Sequence, residues 1–557
     1  MSARHTVLAL GSLCLLSCTS LFGPENGGSQ PSSPPTTADG TLASPLRQSA
    51  GSLPELPQDV IASLTPLYAG ATTYAPPEGR VENLPPDLDP VSVIALRKLN
   101  TYRVAAGLAP YRYDPDLTRM AMAHVAYAKA SSRAKLPWTG HFETPGQPGY
   151  SKEGHEAAST SGIAYGEGDA LGVLDGLVAG PYHRVQFLRP EESRVGIGFG
   201  KWEGAGNSVG LFVTRPPAGK APAPTRGAAA RFILFPPPDS RGIGVLFEGE
   251  TPDPRPGYQA LRPSERAATG YPITISLAAG DVDRFKQADI SLVDADGARV
   301  DCWVTDPARP SSRTAPAIYA AGQANDTAFA RNFDAVFVLP KSPLKRGTAY
   351  GVKARLAIGS EAVDLAWSFT TAPAYVWNVA ARPSDPWQGI GYALQHAFPG
   401  DAIQLAAGTY DIPGSITLAG VRLSGAGPKE TRLRFSSIPG NTPIAIYSAA
   451  ALERLSIESP AQLIYVTTGS TLLLRDIAIA GGDGKVVAIG LEPGSTLVAD
   501  GIDATRFDAS YLCYSLKGNQ GGPPRVYWRR VGGVSPEGAF VYGPADLHPL
   551  TKPLALP

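Results

Sequence analysis

The histidines of this 557-residue chain are unevenly placed, with His124, His141, His155 and His183 falling between positions 124 and 183 and Glu143, Glu153, Glu156 and Glu167 among them. Imidazole and carboxylate groups gathered in one cleft can ligate zinc through bonds of roughly 2 Å, or exchange protons near neutral pH. The HExxH spacing of a metalloprotease helix is missing at His155, because position 159 is Ser159. Ser159 and Ser161 lie close to the histidines, but no GxSxG nucleophile turn is expected in this domain. A second set of chemically capable side chains lies near the C-terminus: Arg475, Asp476, Asp483, Asp500, Asp503 and Arg506. They are scattered and form no compact calcium-binding group, so they read as solvated turn residues. Tyr511, Tyr514, Tyr527 and Trp528 offer either an aromatic surface for sugars or a cap for the end of the fold. The four cysteines, Cys14, Cys18, Cys302 and Cys513, show no CxxC spacing, and Cys302 and Cys513 are expected as buried thiols rather than a disulfide.

The elements that must position these groups follow from composition and patterning. Lys and Arg total 49 and Asp and Glu total 49, so no net field favours nucleic acid. The 61 glycines and 54 prolines favour turns and β-architecture over long helices. Residues 1–17 read as a signal peptide: Arg4, an apolar run from Val7 to Leu16 too short to span a bilayer, and Ser17 before Cys18. Residues 18–85, rich in Pro, Ser, Thr and Gly, read as a disordered tether. Helical patterns open the region 86–218, with Val91, Ile94, Ala95, Leu99 and Tyr102 on one face, and VGIGFG and SVGLFVT close it as a β-pair. Alternating runs with DG-type turns over 230–372 predict an antiparallel sandwich. Residues 375–557 repeat internally: GSTLLLRDIAIAGG at Gly469 returns as GSTLVADGIDATRF at Gly494, a shift of 25, and LERLSI at Leu452 anticipates LRDIAI at Leu474, a shift of 22. Periods of that size predict a parallel β-helix whose inward Leu, Ile and Val are buried only by stacking coil on coil.

Four stretches also resemble known families. Leu15, Leu16, Ser17 and Cys18 resemble a bacterial lipobox, which implies cleavage before Cys18 and acylation of its sulfur; that anchor, with Thr19 following it, implies lipid attachment to the cell envelope, at the outer membrane or cell surface. LNTYRVAAGLAPYRYDPDLTRMAMAH resembles the opening helices of bacterial members of the CAP superfamily of cysteine-rich secretory, antigen 5 and pathogenesis-related proteins, at Asn100, Tyr102, Arg103, Gly107, Leu108, Pro110, Leu117, Ala121 and His124. GHFE at Gly140, GHEAAS at Gly154, PYHR at Pro181 and VGIGFG at Val195 continue that resemblance. It implies a cleft holding His141, His183 and Glu156, with Glu143 preferred to Glu153 and Glu167 as the second carboxylate, and a divalent cation such as zinc on His141, His183 and Glu156. Phe232 to Ala372 resembles the immunoglobulin-like modules of bacterial surface proteins, and ALQHAFPGDAIQLAAGTY with LSGAG resembles the start of pectate-lyase-like right-handed β-helices. The expected fold class is multidomain α/β plus all-β: a CAP-like α/β/α sandwich, an Ig-like β-sandwich and a C-terminal right-handed parallel β-helix. The implied function is binding in the envelope, with the membrane as partner through Cys18 and a glycan, lipid or protein as ligand. The alternative is an envelope hydrolase acting on peptides through the CAP cleft or on polysaccharides through the β-helix.

Overall fold

The computed structural model describes residues 55–554 except 70–71, 137–139, 204–206, 217–230, 252, 256–260, 262–266, 308–333, 437–441, 461–462, 483–487, 509–511, 516–521, 533–540, 543–544, 551 and 553. The signal peptide, Cys18, Asp483 and Tyr511 therefore lie outside the described residues. The chain divides into two compact units, one comprising Pro76–Pro373 and the other joining the residues that end at Ala75 with Ala374–Pro557.

The unit ending at Pro557 begins earlier than the composition predicts. Gln58–Leu64 (α1) is a helix and Thr72–Thr73 (β1) a strand, both inside the stretch expected as tether. The reason is local amphipathicity: Val60, Leu64 and Leu67 are buried against Ala449, Ala451, Leu473, Val498 and Tyr527 of the coiled part. Strand β1 pairs in parallel with Tyr375 and Val376, and the Tyr74 ring stacks on Trp377 at 3.8 Å between centroids. The remainder is a parallel β-solenoid of about six turns. Both sequence repeats are lateral neighbours in it, Thr471 beside Thr496 and Leu452 beside Leu474. Inward columns such as Leu452, Leu474 and Ala499 are buried.

In the other unit, Pro90–Ala105 (α2) and Pro115–Arg133 (α3) start at aspartate caps: Asp89 accepts the Ser92 amide at 2.8 Å, and Asp114 accepts those of Asp116 and Leu117. Between them runs Arg112–Tyr113 (β2). Lys152–Ser159 (α4), Ser161–Tyr165 (β3), Ala170–Ala179 (α5), Pro181–Phe187 (α6), Arg194–Lys201 (β4) and Ser208–Arg215 (β5) follow. The sheet order is β2-β4-β5-β3, with β4 and β5 antiparallel. Helix α3 lies on one face so closely that a Cβ at Gly196 would come within 2.3 Å of the Leu117 backbone, and one at Gly198 within 2.8 Å of Ala121. On the opposite face, a Cβ at Gly210 would meet Val173 of α5 at 2.5 Å. The result is the α/β/α sandwich expected. Among the described residues, 232–371 then form two larger sheets, beside a two-stranded one of Leu246–Phe247 and Thr269–Gly270. One has the order Cys302–Thr305, Ala335–Pro340, Ile273–Leu277, Phe232–Phe235, and the other Arg299–Val300, Phe285–Asp294, Ala349–Ile358, Glu361–Thr371, Ser240–Ile243. All neighbours are antiparallel except the last pair.

Candidate functional site: the histidines of the α/β/α domain

Two residues singled out by resemblance hold the domain's frame. Asn100 clasps Tyr111 through both backbone groups, at 2.7 and 2.9 Å. Arg103, fully buried, donates to the carbonyls of Ala109, Phe187 and Glu192 at 2.8, 2.6 and 2.8 Å, with its guanidinium 3.9 Å from the centre of the Tyr111 ring. A buried guanidinium is tolerated because its fork of donors is met by carbonyls. Its grip on Phe187 fixes the end of α6, the helix that carries His183.

His124, 1% exposed on the inner face of α3, places Nδ1 3.0 Å from Glu143 Oε1 and Nε2 3.3 Å from the Tyr165 hydroxyl. Glu143 is equally buried, and its Oε2 accepts the Ser151 amide at 2.9 Å. Room for this carboxylate comes from Gly154, where a Cβ would stand 2.3 Å from Oε1. Glu143, expected as a cleft carboxylate beside His141, is turned inward onto His124 instead. The His141 Nδ1 donates to the Ala158 carbonyl at 2.8 Å, and His155 Nδ1 meets the Glu143 backbone at 3.1–3.2 Å.

Glu156 corrects the expectation. It follows His155 on the short helix α4, where each step turns the side chain by about 100°, and its own side chain is 58% exposed, 3.5 Å from Arg215. His183 also goes elsewhere. Its Nδ1 donates to Glu250 Oε2 at 2.7 Å, and the same carboxylate accepts the Tyr182 and His183 amides at 3.0 and 3.4 Å, so Glu250 acts as the missing N-cap of α6. Glu250 lies outside the stretch that resembles CAP proteins, and its carboxylate occupies the space a Cβ at Gly180 would take, 2.4 Å away. Next to His183, the buried Arg184 donates to the Pro272 carbonyl at 2.6 Å and lies over the Phe235 and Tyr271 rings. Tyr182 meets Phe337 edge-on at 5.3 Å. The PYHR segment thus joins the sandwich to the two-sheet region instead of facing a shared cleft.

His141, His183 and Glu156 do not converge. Among the described residues, no group of three or more His, Cys, Asp or Glu is placed to hold a metal ion, so this donor set does not fit zinc. Glu167, the third carboxylate candidate, lies over α5, where Cβ atoms at Gly172 and Gly176 would come within 3.1 and 3.6 Å of it. Burial pushes the neighbouring Glu248 carboxyl up to about 7; the Glu167 charge adds to the rise and Arg255 opposes it. Sequence reading passed over Glu248 and Glu250 because they belong to the next region of the chain. It also passed over the run GNSVG ending at Gly210, a GxSxG match. Its Ser208 starts β5, a strand rather than a strand-to-helix turn, and donates its hydroxyl to the Glu167 carbonyl at 2.6 Å, so no nucleophile elbow forms.

In the solenoid the scattered charges form ladders. Asp500 accepts from Arg529 at 2.8 and 3.0 Å and from Arg530 at 3.1 Å, Arg530 also reaches Asp476, and Arg475 lies 3.4 Å from Glu453. Asp503 accepts from the Thr505 amide and hydroxyl at 3.0 and 2.6 Å, and the nearby Arg506 charge adds to the lowering of its carboxyl pKa that these bonds produce. Tyr527 is buried beneath α1, which removes it from any sugar-binding surface. Cys302 and Cys513 are both free thiols.

No curated protein matches. Among solved structures, the catalytic domain of a GH87 alpha-1,3-glucanase in complex with tetrasaccharides is 13% identical, covering 58% of this chain and 67% of that one at a TM-score of 0.22. The same kind of domain in complex with nigerose is 13% identical, covering 57% and 72% at 0.20; likeness at this level carries no argument about function. A family model, the cysteine-rich secretory protein family, matches residues 96–214. These residues of the chain form a CAP domain.

Proposed function

We propose that the chain is an exported protein, lipid-anchored to the envelope through Cys18, that acts by binding, its CAP domain and immunoglobulin-like spacer being displayed together. The observation that supports binding over turnover is the destination of the domain's polar side chains. His124 and Glu143 hold each other, His141 holds a helix carbonyl, and His183 holds Glu250. A general base needs its acceptor nitrogen aimed at a reacting atom, and a zinc site needs ligands sharing a centre. Here each group instead fixes one element to another, which makes a rigid surface for recognition of a lipid, glycan or protein.

Zinc titration by calorimetry on the full chain, with His141→Ala and His183→Ala alongside, tests the reading. The expected result is no saturable zinc binding and lower thermal midpoints in both variants. Saturable binding lost in both, or peptide hydrolysis abolished by His183→Ala without unfolding, would replace it with the envelope hydrolase. Anchoring is tested separately: Cys18→Ser should move the protein from the membrane fraction to the soluble one.

A further inference from the structure

The solenoid carries an outward tyrosine column that the ladders and the CAP domain do not use. Tyr465, Gly490 and Tyr514 occupy the same register position on consecutive coils. Their chain neighbours Ile464, Val466, Ile489, Leu491 and Cys513 are fully buried, so alternation turns this column away from the core, with Tyr465 and Tyr514 half-buried and Gly490 covered between them. On the coil before, the column position is Ala445, and Tyr447, two residues further along the same outward face, is 38% exposed.

Tyr465 is held in place. Its hydroxyl donates to Glu492 Oε1 on the next coil, and Gly490, lacking a side chain, leaves that path open. Glu492 Oε2 accepts the Thr468 amide and hydroxyl at 2.7 and 2.6 Å. Burial works against the charge, but these hydrogen bonds hold the Glu492 carboxyl below its usual range, so it is ionised at neutral pH. A carboxylate offers about four lone-pair sites, and three are taken here. The tyrosine ring is thereby fixed before any ligand arrives, which removes much of the ordering cost of binding.

We propose that Tyr447, Tyr465 and Tyr514, with Glu492 and Thr468, form a binding platform for a neutral polysaccharide. This deepens the reading of the chain as a binding protein and rests on it. The chemistry is specific. A sugar ring has an apolar C–H face that a fixed aromatic face accepts, and a rim of hydroxyls that matches the remaining carboxylate site and the Thr468 oxygen. The platform's one ionised group is negative and its other polar groups are hydroxyls, so a polyanionic chain is repelled. Neighbouring coils are about 4.8 Å apart, so Tyr465 and Tyr514 are about 10 Å apart along the column, the scale of a disaccharide in an extended chain.

The test is affinity electrophoresis of the full chain in native gels containing laminarin, dextran or pullulan, with polygalacturonate as the charged comparison. Retardation by a neutral polymer is expected, with none by polygalacturonate. Tyr465→Ala should weaken it about tenfold and Tyr447→Ala severalfold, both at unchanged thermal midpoint. Because Tyr447 makes no hydrogen bond to the carboxylate, its variant keeps the test decisive if Tyr465→Ala folds poorly. No retardation by any of the three neutral polymers overturns the platform. Retardation unchanged in both variants also overturns it, while leaving envelope binding elsewhere in the chain intact.

Discussion

Replacing Glu250 by Ala removes one carboxylate and three hydrogen bonds at once, those from the Tyr182 amide, the His183 amide and His183 Nδ1. Loss of an N-cap costs about 1 kcal/mol, and a hydrogen bond to a charged partner contributes about 2 kcal/mol. With Glu250 only 8% exposed, water cannot replace it freely, and the expected loss is about 3 kcal/mol. Glu250→Gln keeps an acceptor for the amides and should cost about 1 kcal/mol. Gly180→Ala reaches the same bonds from the other side, since its Cβ would stand 2.4 Å from Glu250 Oε2. Because both substitutions remove one interaction, the double variant should be no worse than the worse single one. Global melting of a multidomain chain would blur this effect. Hydrogen exchange of peptides covering α6 is the suitable assay, and 3 kcal/mol corresponds to roughly a hundredfold faster exchange there. A fragment ending at Arg215, which lacks Glu250, Pro272 and Phe337, should show the same loosening. Exchange in Glu250→Ala within threefold of the parent would refute the argument that this carboxylate holds the PYHR helix.

Gly198→Ala should destabilise the CAP domain by about 2 kcal/mol through overpacking against Ala121 of α3, measured by urea unfolding. Burial raises the Asp500 carboxyl, but the hydrogen bonds from Arg529 and Arg530 outweigh it and leave the folded pKa below the usual value. Its stabilisation is therefore complete above an unfolded pKa of about 3.9 and lost as pH falls through the lower folded value. Asp500→Asn should accordingly flatten the acid limb of the solenoid's stability curve. Burial pushes the Cys302 thiol up to about 12 and raises Cys513 as well. Iodoacetamide at pH 8 should leave both unmodified in the native chain and alkylate both in urea, as read by intact mass.

The readable parts of this sequence were those where chemistry is local or periodic. Asp114 announces its helix because a cap acts within three residues. The shifts of 25 and 22 residues gave the solenoid's register because identical coils stack as neighbours. Glu156 was misplaced because adjacency to Gly154 and His155 in sequence says little about which way a helical residue turns. Glu250 was missed because a cap can come from any distance along the chain, and His183 alone does not indicate its partner. The α1 helix was hidden by composition: proline and serine around it suggest a tether, while its two buried residues, Val60 and Leu64, with Leu67 in the turn that follows, form too short a pattern to stand out.

The first strand of the solenoid, β1, waits for its partner across the whole of the Pro76–Pro373 unit. In folding terms this is a very long loop that must close before β1 is paired, although the entropic cost grows only with the logarithm of its length. Leu67 is synthesised about 430 residues before Val498, against which it is finally buried. At 5 to 20 residues per second that interval is roughly 20 to 90 s. The intervening unit, once folded, fixes its own ends at Pro76 and Pro373 and so shortens the effective loop. The expected order is that the middle of the chain folds first and β1 pairs last, which pulse-labelled hydrogen exchange during refolding would check.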